Sequence, residues 1–295
     1  MGRLGEIEGY WTQRSEGYSD NVTATIDDGR SDHWLKIISE HLEPGRRLRV
    51  LDVGTGPGFF PVVLGREGHD VTGVDCTQGM LDRAAENCAR YGVSATLLRM
   101  DAQHLDFPDG SFDLVVSRNV VWNLEDPLGA YAEWLRVLGD GGRLMLFDAN
   151  HYLYLHDEEF RRAGGDRNEE THRDMRGVDP TIIREIARGL PMSRVRRPQW
   201  DLDALIGLGV QRVEIETDGR DSCRVEEGGR TVFMPFSFFI CATKRCRIRP
   251  PGPCGSDSKQ PRKNRGPGAP DGLRGPEGPH ESHSGSPLAF CLCMR

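Results

Sequence analysis

Leu51-Asp52-Val53-Gly54-Thr55-Gly56-Pro57-Gly58-Phe59 ends a short apolar run that opens at Leu48. A run of this length, bounded by glycines, reads as a buried strand. Residues 59–66 follow with helical patterning. A strand feeding a helix through a glycine turn is the ligand-facing corner of an open parallel sheet, where ligands lie outside the carboxyl ends of the strands. Glycines there allow a tight turn and a close approach of ligand to backbone. A dinucleotide fingerprint requires G-x-G-x-x-G. Here Phe59 stands where the third glycine would fall. Asp52 lies two residues before Gly54, and a carboxylate at this mouth suits a cationic ligand better than a pyrophosphate.

Working outward, the chain alternates. Residues 31–42 read as a helix with Leu35, Ile37, Ile38 and Leu42 on one stripe, stopped by Pro44-Gly45. Strands are expected at 70–74, 95–99, 112–117 and 143–147. Helices are expected at 78–91 and 128–138, the latter stopped by Asp140-Gly141-Gly142. Strands alternating with helices at this spacing predict an α/β fold, a parallel sheet covered on both faces. Residues 151–200 break the rhythm and read as a lid or insertion beside the carboxyl ends of the strands. Their Arg194, Arg196 and Arg197 form either a solvated face or a contact for an anionic substrate. Residues 201–208 read as a helix. Residues 210–217 and 232–243 read as a closing antiparallel pair around a Gly228-Gly229 turn.

The 295 residues carry a net charge of −7, with 37% hydrophobic and 28% charged residues. The length is ample for a real core. No stretch approaches the roughly 18 uninterrupted apolar residues of a membrane helix. Met1 to Tyr10 contains Glu6 and Glu8 and no apolar core, against a secretory signal. The acidic balance argues against nucleic acid as partner, which needs clustered Lys and Arg. Eight cysteines without a CxxC pair make neither a disulfide scaffold nor a zinc site. A cytoplasmic protein with reduced thiols is expected. Residues 246–295 differ in character, with nine of the 18 Pro and eight Lys/Arg against four Asp/Glu. They are expected to form a disordered, basic Pro/Gly-rich tail.

Two more acidic residues end strands. Asp75 closes the second, where a carboxylate can take both hydroxyls of a ribose. Asp101 closes the third, where a carboxylate followed by the Ala102 backbone N–H can pair with the edge of an adenine. Each alone is an ordinary cap or loop residue; three at consecutive strand ends beside a glycine turn are harder to dismiss. Cys76 reads as a small apolar contact. Trp122 is either active-site wall or core. His151 and Tyr152, after the fifth strand, are weak candidates for a catalytic role, since a histidine there is more often a hydrogen-bonded surface residue. Asp148, Asn150 and His151 match no metal-ligand spacing, and no metal is expected.

Together these residues resemble the class I S-adenosylmethionine-dependent methyltransferases, of the small-molecule, type 11/25-like kind, over roughly residues 10–245. Asp52 to Gly58 resembles their glycine-rich first motif, Phe112 to Asn119 their fourth-strand motif, and Leu135 to Leu138 with Gly141 to Leu144 their approach to the fifth strand. The resemblance implies a Rossmann-like, doubly wound, mostly parallel seven-stranded sheet with a reversed last strand and helices on both faces. It implies S-adenosyl-L-methionine as cofactor, held by Tyr18, Asp52, Gly54, Thr55, Gly56, Gly58, Asp75, Cys76, Met80, Asp101, Ala102 and Ser117. Residues 1–30, with Arg14 and Tyr18, would then cover the cofactor, residues 31–245 being the methyltransferase domain; a helix packing Trp11 on the domain is an equal alternative. The implied activity is in-line methyl transfer to a small-molecule acceptor, with no nucleic acid or membrane partner. The alternatives are a non-catalytic cofactor-binding protein of the same fold and, more remotely, an NAD-dependent oxidoreductase.

Overall fold

The computed structural model describes residues 3–166, 176–219 and 221–246. Helices α1 (Arg3–Asp27) and α2 (Asp32–Glu40) precede strand β1 (Arg49–Val53). Then come α3 (Phe59–Arg66), β2 (Asp70–Asp75), α4 (Gln78–Tyr91), β3 (Thr96–Arg99), β4 (Phe112–Arg118), α5 (Pro127–Val137) and β5 (Leu138–Ala149). The chain continues through α6 (Glu158–Arg162), α7 (Pro180–Arg188) and α8 (Gln199–Gly207) to β6 (Arg212–Thr217), β7 (Ser222–Glu227), β8 (Arg230–Pro235) and β9 (Ser237–Thr243).

Seven strands form one sheet in the order β3-β2-β1-β4-β5-β9-β6. The first five are parallel, and β9 runs antiparallel to both β5 and β6. The order reverses between β1 and β4, which is where a doubly wound sheet opens its crevice. Both faces are covered. Leu51, Val53, Val115, Leu144 and Leu146 enter one core, while Val50, Leu114, Val116 and Met145 enter the other. Strand side chains alternate between faces, so strands buried on both sides must be apolar throughout, and that is why β1 and β4 are apolar runs. Helix α4 shows the complementary pattern: Met80, Leu81, Ala84 and Cys88 are buried, and Gly92 ends the helix with φ 68°. Asp126 caps α5 by accepting from the Gly129 N–H at 2.9 Å, with Pro127 in its first turn.

Three expectations need correction. Asp140-Gly141-Gly142 does not end a helix before a separate strand: it lies inside β5, as an irregularity where pairing jumps from Phe112↔Leu138 to Leu114↔Arg143. Gly141 has φ 73°, a conformation glycine supplies without strain. The Gly228-Gly229 turn does not join the closing pair of the main sheet. It joins β7 to β8 in a separate two-stranded sheet, and β9 starts only at Ser237. Finally, the arginines at 194–197 are not one solvated face. Arg197 is fully buried, Arg196 pairs with Asp157 at 2.7 Å and Glu159 at 3.0 Å, and Arg194 donates to the Arg188 carbonyl.

Helix α1 is one 25-residue helix, and it is part of the domain: Ile7 and Tyr10 join one core, Val22 and Ile26 the other. In the 151–200 region the described parts pack Leu153, Tyr154, Phe160, Ile183 and Ile186 on the first core; residues 167–175 lie outside the described residues. Of the tail expected at residues 246–295, all but Cys246 lies outside the described residues. Among the described residues, no helix is long and apolar enough to cross a membrane.

Candidate active site

The turn after β1 is built by backbone bonds that require its glycines. Gly54 N–H and Thr55 N–H both donate to the Val74 carbonyl at 2.9 Å, which folds the turn over the end of β2. Gly54, Gly56 and Gly58 have φ of 68°, 52° and 85°, where a β-carbon is strained. At Gly54 an added Cβ would stand 2.3 Å from Val120 Cγ2, and at Gly58 it would stand 3.1 Å from the Cα of Ala84 in α4. Gly54 thus lets the loop after β4 close against the turn, and Gly58 lets α3 start against α4.

Asp52 does not reach the pocket surface. It is 2% exposed, and its Oδ2 accepts from the Thr55 hydroxyl at 2.7 Å. Burial pushes its carboxyl up to about 7; the Thr55 bond and the Arg118 charge restrain the rise, and Asp75 adds to it. Asp75 is the second brace. Its Oδ2 accepts from Gly56 N–H and its Oδ1 from Thr77 N–H, both at 2.9 Å. Burial raises its pKa, and these two backbone bonds oppose the shift. Each carboxylate oxygen has a second lone pair, so the bracing bonds leave Asp75 acceptor capacity toward the pocket it lines.

That pocket lies at the carboxyl ends of β1, β2 and β3. Its lining includes Tyr18, Gly54, Gly56, Asp75, Cys76, Met80, Asp101 and Ala102, so eight of the twelve anticipated cofactor residues share one cavity wall. Leu4, Ile7, Trp11 and Tyr18 bring α1 across it; the Trp11 and Tyr18 rings meet edge to face at 5.6 Å. Met100 and Leu124 add apolar wall. Asp101 holds the Gln103 N–H at 3.0 Å, and the Ala102 carbonyl takes the Trp134 indole N–H at 2.7 Å. These bonds fix the β3 loop that carries both residues. Burial, then the Asp75 charge, pushes the Cys76 thiol up to about 11, so it is a neutral contact and no nucleophile.

Four anticipated residues lie behind the wall. Asp52 and Thr55 bond to each other, and Gly58 packs on α4. Ser117 is buried with its hydroxyl donated to the Val53 carbonyl at 2.9 Å, which ties β4 to β1. Arg14 is buried as well, beside Tyr10, whose pKa is raised by burial and lowered in part by the Arg14 charge.

A second cleft lies at the carboxyl ends of β4 and β5 and shares Arg118 and Asn119 with the first. Neither shared residue was anticipated as a site residue, although both stand in the quoted fourth-strand motif. Arg118 lies over the adjoining rings of Trp34 and Phe59, at 5.2 and 4.2 Å. Asn119 has φ 58°, a left-handed backbone that asparagine tolerates better than most. It is held there by its N–H on the Phe147 carbonyl at 2.8 Å and by its own carbonyl under the Trp122 indole N–H at 2.9 Å. Such a conformation is set by tertiary contacts that a sequence does not display.

His151 lines this second cleft, with Nε2 3.2 Å from Asn119 Oδ1. Tyr152 does not line it. It is 5% exposed and packs on Trp122 at 4.9 Å, so its expected role passes to core packing. Trp122 is core too, standing between Trp11 and His151 at 6.4 and 5.7 Å. Asp148 and Asn150 are buried in hydrogen bonds to the backbone. Among the described residues, His41, Glu214 and Cys241 bring three donor atoms within 4.8 Å of one another. Arg212 pairs with Glu214 at 3.0 Å and burial pushes the Cys241 thiol up to about 11, so no metal is assigned there.

A methyltransferase domain family matches residues 51–146. The chain is 33% identical over 164 residues to an aklanonic acid methyltransferase of Streptomyces sp. strain C5, covering 49% of this chain and 74% of that protein. It is 30% identical over 146 residues to a demethylmenaquinone methyltransferase of Tropheryma whipplei strain Twist, covering 50% of this chain and 60% of that protein. A solved structure from Methanococcus maripaludis, described as a candidate S-adenosyl-L-methionine-dependent methyltransferase, shares the fold with a TM-score of 0.52 and 18% identity, over 79% of this chain and 93% of that one.

Proposed function

The chain belongs to the class I S-adenosyl-L-methionine-dependent methyltransferases, and from that premise we propose that the first pocket holds the cofactor and the second cleft holds a small-molecule acceptor. Bound there, the cofactor supplies an electrophilic methyl group on a positively charged sulfur. The residues of the pocket suit it. Asp75 offers its outward lone pairs to the ribose hydroxyls. Asp101 and Ala102 offer an acceptor and a backbone donor to the adenine edge. Met80, Met100 and Leu124 supply apolar walls, and Gly54 and Gly56 let the ligand lie against the backbone. Asp52 acts through Thr55, shaping the turn without touching the ligand. Tyr18 and Trp11 cover the site and exclude water.

Arg118 and Asn119 stand where the two cavities meet, so methyl transfer passes between them. The protein's own contribution is alignment of the acceptor with the methyl group, and a base where the acceptor carries a proton; that His151 lines the cleft supports it as the candidate for that task. Glu216, Asp218 and Asp221 at the cleft oppose a polyanion, which supports a small molecule over nucleic acid. The relatives named above act on aklanonic acid and demethylmenaquinone, as their names say, and that supports a small-molecule acceptor here. Phe59, 3% exposed and in the core, replaces the third fingerprint glycine, which disfavours a dinucleotide. Among the described residues the cysteines Cys76, Cys88, Cys223, Cys241 and Cys246 are free thiols, which supports a cytoplasmic location.

The observation that carries the reading is Asp75, held by the glycine turn itself through Gly56 N–H at the pocket wall. Replacing it with Ala is expected to weaken S-adenosylmethionine binding by about 1–3 kcal/mol, the usual cost of stranding polar partners. Calorimetric titration of Asp75→Ala checks this, and an unchanged dissociation constant would remove the ribose assignment.

A further inference from the structure

The acceptor cleft is electrically polar from end to end. It runs across the ends of β4, β5, β9 and β6, which are neighbours in that order. Arg118 ends β4, and it is the one arginine or lysine among the described residues lining the cleft. Glu216, Asp218 and Asp221 line the cleft where β6 ends. Neighbouring strands lie about 4.8 Å apart, so the cation and these carboxylates stand roughly 14 Å from each other across the sheet. Asp148, between them at the end of β5, is held 3.0 Å from the buried Arg197. Glu216 faces His41 at 3.6 Å, and Asp221 accepts from Ser237 N–H at 3.2 Å.

Arg118 is left with its donors open. Among the described residues its nitrogens make no hydrogen bond and no ion pair, and none of them is sealed from solvent. Its contacts are the rings of Trp34 and Phe59, which engage its charge but take none of its N–H groups. Behind it, the buried Asp52 carboxyl feels the Arg118 charge but accepts from Thr55, and burial pushes it up to about 7. Asp52 is therefore a weak counter-charge. Trp34 lines the second cleft and not the first, so the guanidinium over its ring is turned to the acceptor side. A guanidinium edge of this kind matches a carboxylate, two N–H groups to two oxygens. Trp34, Phe147, Phe236, Phe238 and Phe239 wall the same cleft, whose volume of about 870 Å³ takes fused rings.

We propose that Arg118 is the anion-binding residue of the acceptor cleft, and that the acceptor is an aromatic carboxylic acid bound as its carboxylate. The single negative charge sits at the β4 end, and an uncharged ring body lies along the aromatic wall. A second negative charge would face Glu216, Asp218 and Asp221. Because Arg118 also lines the cofactor pocket, the carboxylate end is the one brought to the junction of the two cavities. The proposal rests on the acceptor-cleft reading above. The carboxylate of the cofactor itself has the same chemistry, and the test separates the two.

Ligand-observed NMR titration of the full-length protein with 2-naphthoate and its uncharged counterpart 2-naphthamide, with and without S-adenosylhomocysteine, is the test. The wild type is expected to hold 2-naphthoate about tenfold more tightly than 2-naphthamide, and Arg118→Gln to lose that preference. Arg118→Lys, which keeps the charge without the fork, is expected to retain part of it. Equal affinity for the two probes in the wild type would overturn the proposal even if no variant folds, and so would a preference that survives Arg118→Gln. Calorimetry then compares S-adenosylhomocysteine with 5′-methylthioadenosine, which lacks the amino-acid carboxylate, in the wild type and in Arg118→Gln. Both affinities are expected to change less than twofold. A loss confined to S-adenosylhomocysteine would give Arg118 to the cofactor and overturn the proposal. A wild-type chain that binds neither nucleoside yet prefers 2-naphthoate would sink the cofactor reading and leave the anion site standing.

Discussion

Asp52 shows how a buried residue can brace a glycine turn from behind a pocket wall. It sits in a strand buried on both faces, and its nearest partner is the Thr55 hydroxyl. Burial raises its pKa to about 7, above the roughly 3.9 of an unfolded aspartate. The folded state therefore binds the proton more tightly. The resulting stability is fully present below pH ~4 and is lost as pH rises to about 7, at about 1.4 kcal/mol per pH unit. Asp52→Asn removes that dependence. Urea midpoints compared between pH 4.5 and 7.5 are expected to fall more steeply in the wild type than in Asp52→Asn, and parallel curves would contradict a charged-form penalty at this position. Residue-level legibility was uneven for the same physical reason. Asp75 and Asp101 announce themselves because strand ends in this fold face the ligand. Arg118 and Asn119 do not, because their roles depend on contact with the rings of Trp34 and Phe59 and on a φ of 58° fixed by Phe147 and Trp122.

Among the elements, α1 links fold and function most directly. Its Leu4, Ile7, Trp11 and Tyr18 line the first pocket, and its exposed side is anchored to α4 and β3: Asp27 pairs with Arg90 at 2.7 Å and accepts from Tyr91 at 2.8 Å, and Glu8 pairs with Arg99. A ligand in the pocket touches this helix, so S-adenosylhomocysteine is expected to slow amide hydrogen exchange over residues 4–18 several-fold. Exchange there that ignores the ligand would mean that α1 is not the cover. The sequence left open a covering segment and a helix packed on the domain; the segment is a helix, Arg3–Asp27, and four of its residues line the first pocket. Elements with strong periodicity, such as α4 at Gln78–Tyr91, were legible to the residue. Those shaped by partner strands were not. The glycines at 141–142 look like a stop signal until pairing with β4 absorbs them into β5, and the turn at 228–229 gives no sign of which strand follows it around.

At the scale of the molecule, the sheet is complete before the Pro/Gly-rich residues begin. Lys244 N–H donates to the Gly142 carbonyl at 2.9 Å, Gly141 N–H donates to the Lys244 carbonyl at 3.2 Å, and Lys244 Nζ reaches the Leu138 carbonyl. These bonds extend the pairing of β9 with β5 to the end of the described chain. A chain ending at Cys246 should therefore fold and bind cofactor as the full chain does. The doubly wound order and the reversed β9 were implied by the resemblance as a whole rather than by any one segment, since strand order is a property of packing.

The measurement that tests the central claim most directly is calorimetric titration of the full-length protein with S-adenosylmethionine, with S-adenosylhomocysteine and NAD alongside. The account predicts micromolar binding of the first two at one site per chain and no heat from NAD. Binding of NAD alone, or of none of the three by a folded protein, would contradict it.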